Sequence, residues 1–295
     1  MTRYVLISGS TGFIGKKLIN FFSSKDLDVY QLIRTKDGEK SIYWNPEKKL
    51  IDQEKIRNFD IVIHLAGEPV TGFWTKSKLE KIYKSRVEST KFLVETLQRL
   101  DAAPKIFITA SAIGYYSHKG DTVNTEDSEA GEGFLSKVCE AWENEANKMK
   151  PSRVINLRFG HILGKNGGLL PNMKLIHKLM LGGRLGDGKQ YISWVAIDDV
   201  VRIIDFAIQN EEIKGPLNLV SPNFVTQEEF GREISRIMQK PFFFNIPKFL
   251  LKALLRRQAN EMVLSSIKAY PKKLKDFNFQ FQFENLTSAL KHYLV

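Results

Sequence analysis

Short apolar runs, each followed by a glycine- or hydroxyl-rich stretch, recur through the first half of the chain. They are YVLIS before GSTG, FDIVIHL before AGEP, KIFITA before SAIG and RVINLR before FGHILG. Helical patterns lie between them, at residues 17–22 and 76–100. Continuous apolar runs are typical of parallel strands buried on both faces, and the intervening helices supply the crossovers. The pattern therefore predicts an α/β fold with a doubly wound parallel sheet.

The pattern changes after about residue 163. Glycines cluster in GKNGG and LGGRLGDGKQ, and a helical pattern at residues 197–209, the apolar run PLNLV and mostly helical periodicity from residue 227 follow. We interpret residues 1–165 as one domain built on the sheet. Residues 166–295 are interpreted as a smaller substrate-side domain, some segments of which return to the sheet.

The stretch GSTGFIG follows the first predicted strand and opens the first predicted helix. Its first glycine permits a tight turn, its second admits a pyrophosphate, and its third lets helix and strand pack closely. The helix N-terminus adds amide donors and a partial positive charge. Such glycines also occur in turns without a ligand, but the strand–loop–helix context favours a Rossmann-type nucleotide site. The loop residues are Gly9, Ser10, Thr11, Gly12, Phe13, Ile14 and Gly15.

The second predicted strand, VYQLIR, ends at Arg34, and Lys36 follows closely. A site for NAD normally has Asp or Glu at this point, which accepts hydrogen bonds from the ribose 2′-hydroxyl. A cation instead can pair with the 2′-phosphate of NADP. The alternative interpretation is a solvated arginine at a strand end. The glycine loop upstream favours NADP(H) as the cofactor, so residues 1–165 are predicted to form an NADP-binding domain.

The composition narrows the class of protein further. One cysteine, Cys139, excludes an internal disulfide and favours a reducing, cytoplasmic compartment. No run approaches the ~18 apolar residues of a membrane span. The net charge of +11 comes from dispersed basic residues, so we predict no nucleic-acid partner. No metal site is predicted. An anionic cofactor suits the same charge.

The motifs together resemble the extended short-chain dehydrogenase/reductases of the NAD-dependent epimerase/dehydratase family. The similarity is greatest to an atypical epimerase-like branch with a C-terminal domain of unknown function at residues 246–293. It extends over the whole chain and is carried by GSTGFIG, HLAGEP, SRVEST, SAIGYY, FLSKVCEAWE, LRFGHIL, GDGKQYISWVAIDD and GPLNLVSP. The resemblance implies cofactor contacts at the glycine loop and at Arg34, Leu65, Ala66, Gly67, Lys81, Arg86 and Ile162.

The family resemblance raises the question of a catalytic Tyr-x-x-x-Lys pair. Tyr115 and Lys119 have this spacing, but they precede the predicted helix GFLSKVCEAWENEANK, where the family carries its pair, and that helix contains no tyrosine. A loop does not fix a four-residue spacing as a helical turn does, so we interpret the pair as coincidental. The candidates for acid–base chemistry are then Ser111, Tyr115 and Glu68.

Three departures from the family bear on the substrate. Ile192, Phe73 and Ala196 stand where sugar-nucleotide epimerases carry two arginines and a histidine. An apolar side chain offers a diphosphate neither charge nor hydrogen bonds, which disfavours a nucleotide sugar. A more aromatic pocket is predicted instead, although each of its residues can equally belong to a core: Trp74, Gln190, Tyr191 and Trp194.

The sequence leaves three functions open. The first is an NADP(H)-dependent oxidoreductase or epimerase acting on an unidentified small molecule. The second is a regulatory or scaffold protein without turnover, in keeping with division-related relatives of the branch, and the third is a sugar-nucleotide epimerase. A basic stripe, Lys248, Lys252 and Arg256, opposite leucines predicts an amphipathic helix that contacts its own domain, a partner or a membrane surface. The oligomeric state, monomer or dimer, stays open as well.

Overall fold

A computed structural model of the protein describes residues 3–25, 27–35, 38–116 and 121–295. The chain divides into two compact units. The first unit comprises Met1–Ser111, Val138–Leu157 and Ile204–Leu217, and the second comprises Ala112–Lys137, Arg158–Ile203 and Asn218–Val295. Because the ranges of the two units alternate along the chain, the domain boundary at residue 165 stays a prediction.

The described residues form fifteen strands and ten α-helices. The strands are β1 Tyr4–Ser8, β2 Asp28–Ile33, β3 Ser41–Asn45, β4 Leu50–Ile51, β5 Ile61–His64, β6 Ile106–Ala112, β7 Val123–Asn124, β8 Arg153–Phe159, β9 His161–Gly164, β10 Gly167–Gly168, β11 Tyr191–Ile192, β12 Trp194–Ala196, β13 Gly215–Leu219, β14 Val225–Thr226 and β15 Lys268–Ala269. The helices are α1 Phe13–Ser23, α2 Lys76–Tyr83, α3 Ser89–Arg99, α4 Phe134–Ala146, α5 Leu170–Lys178, α6 Ile197–Gln209, α7 Gln227–Met238, α8 Lys248–Leu255, α9 Lys272–Asp276 and α10 Leu286–Leu294.

An eight-stranded sheet of spatial order β13-β8-β6-β5-β1-β2-β3-β4 dominates the first unit. The pairs β1–β2, β2–β3, β1–β5 and β5–β6 are parallel, and the short β4 is antiparallel to its neighbour β3. The prediction of a doubly wound parallel α/β sheet is therefore confirmed. The sequence analysis had not identified β3 and β4, whose segments SIYWN and LI are short and are not followed by a glycine- or hydroxyl-rich stretch.

Continuous burial of the central strands matches their uninterrupted apolar sequences. Val5, Leu6 and Ile7 of β1 are fully inaccessible, and Val62 and Ile63 of β5 are equally so. Such burial arises when elements cover both faces of a sheet. One core cluster of this unit joins Leu6, Leu32, Ile42, Trp44, Phe59, Val62, Leu93, Val94, Leu97, Ala102, Phe107, Ala146 and Met149.

The long helix predicted at residues 76–100 is present but interrupted. The Thr75 side chain caps its start by accepting a hydrogen bond from the Lys78 amide, and a π-helical turn at Lys84–Glu88 separates α2 from α3. Single π-helical turns inside α-helices are frequent at functional sites. This turn contains Arg86, one of the predicted cofactor contacts.

The second unit contains three small sheets, β10-β9-β12, β11-β14 and β15-β7. Helix α7 begins with a capping box, in which Thr226 and Glu229 satisfy each other's backbone amides. A buried cluster joins Ile113, Tyr116, Val220, Ile267 and Ala269. In the part of the chain that the structure describes, no helix combines the length and the apolar character needed to cross a membrane.

Gly15 lies where α1 crosses the backbone of the glycine loop. A Cβ added at Gly15 would overlap the Gly9 carbonyl oxygen and the Ser10 backbone, neither of which can move without displacing the loop. We expect Gly15→Ala to lower the free energy of unfolding by about 1–3 kcal/mol, the cost of overpacking. Denaturant unfolding measures this. Gly114→Ala is the control, because its Cβ would meet only Leu135 at an ordinary 3.5 Å, and equal losses in both variants would contradict the argument.

Candidate functional site

Strands β1 and β5 are neighbours at the point where the chain order of the sheet reverses. From β1 the chain continues to β2 and β3 on one side, whereas β5 and β6 lie on the other. Ligands of open α/β sheets bind in the crevice beyond the carboxyl ends of the strands at such a switch point. The glycine loop after β1 and the LAGE stretch after β5 occupy these ends.

The two loops approach each other backbone to backbone. Gly9 has a φ of +68°, and a Cβ at this position would lie 2.8 Å from the Leu65 carbonyl carbon. The Gly12 amide donates to the Gly9 carbonyl oxygen at 3.0 Å and closes the turn. A residue with a side chain at position 9 would thus be strained and would also push the β5 loop away.

A buried polar relay connects β1 to β5 beneath these loops. The Ser8 hydroxyl accepts hydrogen bonds from the Leu65 and Ala66 amides at 3.1 and 3.3 Å, and lies 2.6 Å from Nδ1 of His64. Because the oxygen already accepts two bonds, its proton points to Nδ1, which leaves the imidazole proton on Nε2, 3.5 Å from the Ser89 hydroxyl. His64 is completely buried, and burial lowers its pKa to about 3, so the ring is neutral.

A cleft of about 770 Å³ lies above this relay. It brings together most of the predicted cofactor residues from four separate segments of the first unit. The cleft contains Gly9, Ser10, Thr11 and Gly12 from the glycine loop, Arg34 from the end of β2, Leu65, Ala66, Gly67 and Glu68 after β5, and Lys81 on α2.

Positive charge in the cleft is only partly compensated. Lys84 pairs with Glu80 at 2.6 Å, and Lys78 pairs with Glu68 at 2.7 Å. The hydrogen bond from Lys78 lowers the pKa of Glu68 against a smaller opposing effect of burial, and the charges of Lys81 and Arg34 lower it further. Within the described residues neither Arg34 nor Lys81 forms an ion pair, so both cations remain available to an anionic ligand.

Arg86, whose contact with a cofactor stays a prediction, lies behind the loop that follows β5. Its guanidinium is mostly enclosed, donates to the carbonyl oxygens of Glu68 and Ile82 at 2.9 and 3.3 Å, and lies 5.3 Å from the centre of the Trp142 ring. Burial lowers the pKa of Arg86. The side chain does not line the cleft; it fixes the loop after β5 from behind. Phe13, Ile14 and Gly15 likewise belong to α1 rather than to the cleft surface.

Some cleft residues escaped the sequence analysis. Trp44 and Asn45 at the end of β3 line the cleft, and so does Lys84 in the π-helical turn. The parallel register of β3 with β2, which pairs Ile42 with Leu32, carries them to this edge of the sheet. The sequence could have indicated Trp44 and Asn45 only through the short apolar run of β3, which follows the predicted strand β2.

The candidate catalytic residue Ser111 lies near the end of β6, and its hydroxyl is already engaged. It donates to Glu143 on α4 at 2.6 Å, and both side chains are buried in the first unit. A hydroxyl has one proton, so Ser111 can donate to a substrate carbonyl only after leaving Glu143. Glu143 was not identified from the sequence because it lies 32 residues away.

The candidate Tyr115 belongs to the second unit, in a short 3₁₀ turn at Ile113–Tyr115. It is not on α4, which begins at Phe134, in agreement with the sequence analysis, and Lys119 lies outside the described residues. The guanidinium of Arg158 stacks on the Tyr115 ring, with 3.5 Å between its Cζ and the ring centre, and donates to the Tyr116 hydroxyl at 3.0 Å. Arg158 is therefore the cation beside Tyr115, and the sequence offered no sign of this.

The remaining predicted site residues lie in different surroundings. Gln190 is buried and donates to the carbonyl oxygens of Leu185 and Val263, and Trp194 is completely inaccessible. Tyr191 is half-buried, with Lys268 over its ring at 4.6 Å. Trp74, in the first unit, donates from its indole to the Val70 carbonyl oxygen at 2.8 Å. Ile162 is in β9 of the second unit, and Lys36 lies outside the described residues.

The sequence model of the NAD dependent epimerase/dehydratase family matches residues 5–219, most of the chain. The chain belongs to this family. A second match, to a domain of unknown function called DUF1731, covers residues 246–293. Both agree with the resemblance inferred from the motifs.

Related proteins align with this chain over nearly its full length. It is 38% identical to an epimerase family protein of Staphylococcus epidermidis, SERP0438, over 98% of both chains. The human epimerase family protein SDR39U1, solved with NADPH, is 26% identical, covers 98% of both chains and superimposes with a TM-score of 0.88. A nucleoside-diphosphate sugar epimerase of Corynebacterium glutamicum is 30% identical with a TM-score of 0.81, and this chain spans 58% of its length.

The buried His64 below the cleft makes the folding stability of this epimerase-family protein depend on pH. The pKa of His64 is about 3 in the folded protein against 6.5 when exposed, so the folded state binds fewer protons in that interval. Stability due to the neutral ring is complete above pH 6.5 and is lost as the pH falls toward 3. The loss is up to about 1.4 kcal/mol per pH unit.

Denaturant unfolding of the wild type and of His64→Gln at several pH values measures this contribution. We expect the wild-type stability to fall more steeply with acidification, by about 1 kcal/mol per pH unit. Carboxylates titrate in both proteins, so their contribution to the pH dependence cancels in the comparison. Equal pH slopes would show that His64 is not held neutral by burial.

Proposed function

We propose that the cleft of the first unit binds NADP(H), with the glycine loop holding the pyrophosphate and Arg34 holding the 2′-phosphate. The observation that carries the proposal is the position of Arg34. It lines the same cleft as Gly9–Gly12, directly after β2, and has no ion pair within the described residues. An acidic residue here would favour the 2′-hydroxyl of NAD, whereas an arginine fits a phosphate.

The fit of the loop to a dinucleotide rests on further features of the first unit. Backbone contact at Gly9 leaves no space for a side chain there, as a loop that cradles a phosphate requires. The Ser10 hydroxyl is buried and has no hydrogen-bond partner among the described residues, so it can donate to a phosphate oxygen. The human relative SDR39U1 was solved with NADPH, which supports the choice of cofactor.

We infer that the chain is an oxidoreductase or epimerase of the extended short-chain dehydrogenase/reductase type that acts on a small molecule. The bound nicotinamide would supply or accept a hydride. Tyr115 is the first candidate for the accompanying proton, because Arg158 fixes its ring. Ser111 can accept a hydrogen bond while its proton remains with Glu143, and Glu68 stays ionised beside Lys78. Of the predicted substrate residues, Trp74 and Tyr191 are partly accessible and are proposed as contacts, whereas the buried Gln190 and Trp194 would act on a substrate only through their neighbours.

A binding protein without turnover is the alternative, and two observations favour it. Helix α4 contains no tyrosine, and the Ser111 proton is committed to Glu143. Monitoring the oxidation of NADPH with a panel of aldehydes, ketones and quinones separates the two functions. Consumption of NADPH that depends on Tyr115 supports the enzyme, whereas NADPH binding with no consumption across the panel supports the binding protein.

The cofactor preference tests the central proposal. We expect NADPH to bind at least about tenfold more tightly than NADH, because a charge-assisted contact contributes roughly 1.5–3 kcal/mol. Arg34→Glu should remove or reverse the preference, as measured by titration calorimetry. The control is Arg99→Glu, which makes the same charge change at the exposed end of α3 and should keep the preference. Equal wild-type affinities for the two cofactors would refute the assignment of Arg34.

The substrate class can be tested through Ile192. This residue in β11 replaces the arginine that clamps a diphosphate in sugar-nucleotide epimerases, and Lys268 near Tyr191 is a partial substitute at most. Unpaired buried phosphate charge costs several kcal/mol, so we expect no saturable binding of UDP- or dTDP-sugars to the NADPH-loaded protein at about millimolar concentration. Thermal stabilisation by such a sugar that is lost in Gln190→Ala would instead favour a sugar-nucleotide epimerase.

A further inference from the structure

Exposed apolar side chains are concentrated in two stretches of the second unit. Of the fifteen large apolar side chains that are exposed among the described residues, ten lie within residues 175–181 and 243–254. Phe243, Phe249 and Leu254 are the most exposed of the second stretch, at 66, 74 and 62%. Scattered single residues of this kind are normal, but a concentration marks an interaction surface. We call residues 175–181 and 243–254 the apolar–basic surface.

The two stretches are joined by backbone hydrogen bonds. The amides of Phe243 and Phe244 both donate to the Gly182 carbonyl oxygen at 3.0 Å, directly after the first stretch. The Ile246 amide donates to the Arg184 carbonyl oxygen at 2.8 Å. The end of the first stretch and the start of the second therefore lie side by side.

Helix α8 within the surface exposes most of its apolar side chains. Leu251 is its only buried residue, whereas Phe249, Leu250 and Leu254 are exposed. These three residues lie on one side of the helix, because positions i, i+1 and i+5 fall within 140° at 100° per residue. A helix of a globular protein normally turns such a face to the core. The predicted amphipathic helix therefore exists, but most of its apolar side does not pack on its own unit.

The sequence of these two stretches carries charge of one sign. No Asp or Glu occurs between residues 146 and 186 or between residues 234 and 260. Lys178, Lys252 and Arg256 belong to or adjoin the surface and form no ion pair within the part of the chain described. Lys248 pairs with Asp187 at 2.8 Å. The surface therefore combines exposed apolar side chains with an excess of cations, Asp187 being paired with Lys248, and it is complementary to a partner that is apolar and anionic.

We propose that the apolar–basic surface binds to an anionic lipid surface. Helices of this kind lie in the membrane interface with phenylalanine and leucine among the acyl chains and lysines at the headgroups. The long stems of Lys178 and Lys252 can follow the apolar surface while their ammonium groups reach lipid phosphates. A second copy is disfavoured, because a symmetric contact would bring the same cations of both copies together.

Co-sedimentation of the full chain with vesicles tests the proposal. We expect binding to vesicles containing phosphatidylglycerol and little binding to pure phosphatidylcholine, with a decrease at high salt. The double variant Phe249→Ser with Leu254→Ser should bind at least about tenfold more weakly, since two large apolar side chains lose their burial. Lys252→Glu should weaken binding on the order of fivefold or more, through loss of one cation near the lipid.

Matched variants in the first unit serve as controls. Leu50→Ser changes another exposed leucine, and Lys55→Glu makes the same charge change elsewhere, so both should bind like the wild type. Circular dichroism verifies that every variant is folded. Failure of the wild type to bind anionic vesicles, or unchanged binding of the double variant, overturns the proposal. A dimer in analytical ultracentrifugation that dissociates in the double variant, without vesicle binding, would assign the surface to a second copy instead.

Discussion

The close contact between the backbone at Gly9 and the backbone at Leu65 is the constraint on which the cleft depends. A single Cβ at Gly9 would fill the space between the loops that follow β1 and β5. The Ser8 hydroxyl accepts hydrogen bonds from the Leu65 and Ala66 amides and is itself hydrogen-bonded to His64. These two strand ends meet without intervening side chains, the arrangement that lets loop amides approach an anionic ligand.

Much of the chemistry below the cleft serves to fix backbone rather than to contact a ligand. The buried His64 ring stays neutral, because a charge would have no partner in the enclosed space beside Ser8 and Trp44. Arg86 acts on the loop after β5 from the opposite side through the Glu68 carbonyl oxygen.

The cofactor-binding motifs of the family are more complete in this chain than its usual catalytic residues. The glycine loop and the loop after β5 stand where the motifs place them. On the catalytic side, α4 offers the buried Glu143 instead of a tyrosine, and Tyr115 lies against Arg158. The residues that match the domain of unknown function include α8, whose apolar side is largely exposed.

The sequence by itself determined the parallel sheet, the glycine loop, the long helix at residues 76–100 and the cation after β2. These features follow from local rules: apolar runs, helical periodicity and the glycine spacing are legible within a few residues. The tertiary structure alone decided that Trp44 lines the cleft, that Arg86 faces inward, and that Ser111 and Tyr115 meet Glu143 and Arg158. Each of these contacts joins residues far apart in the chain, and strand register and helix packing, which no local pattern encodes, set which side chains meet.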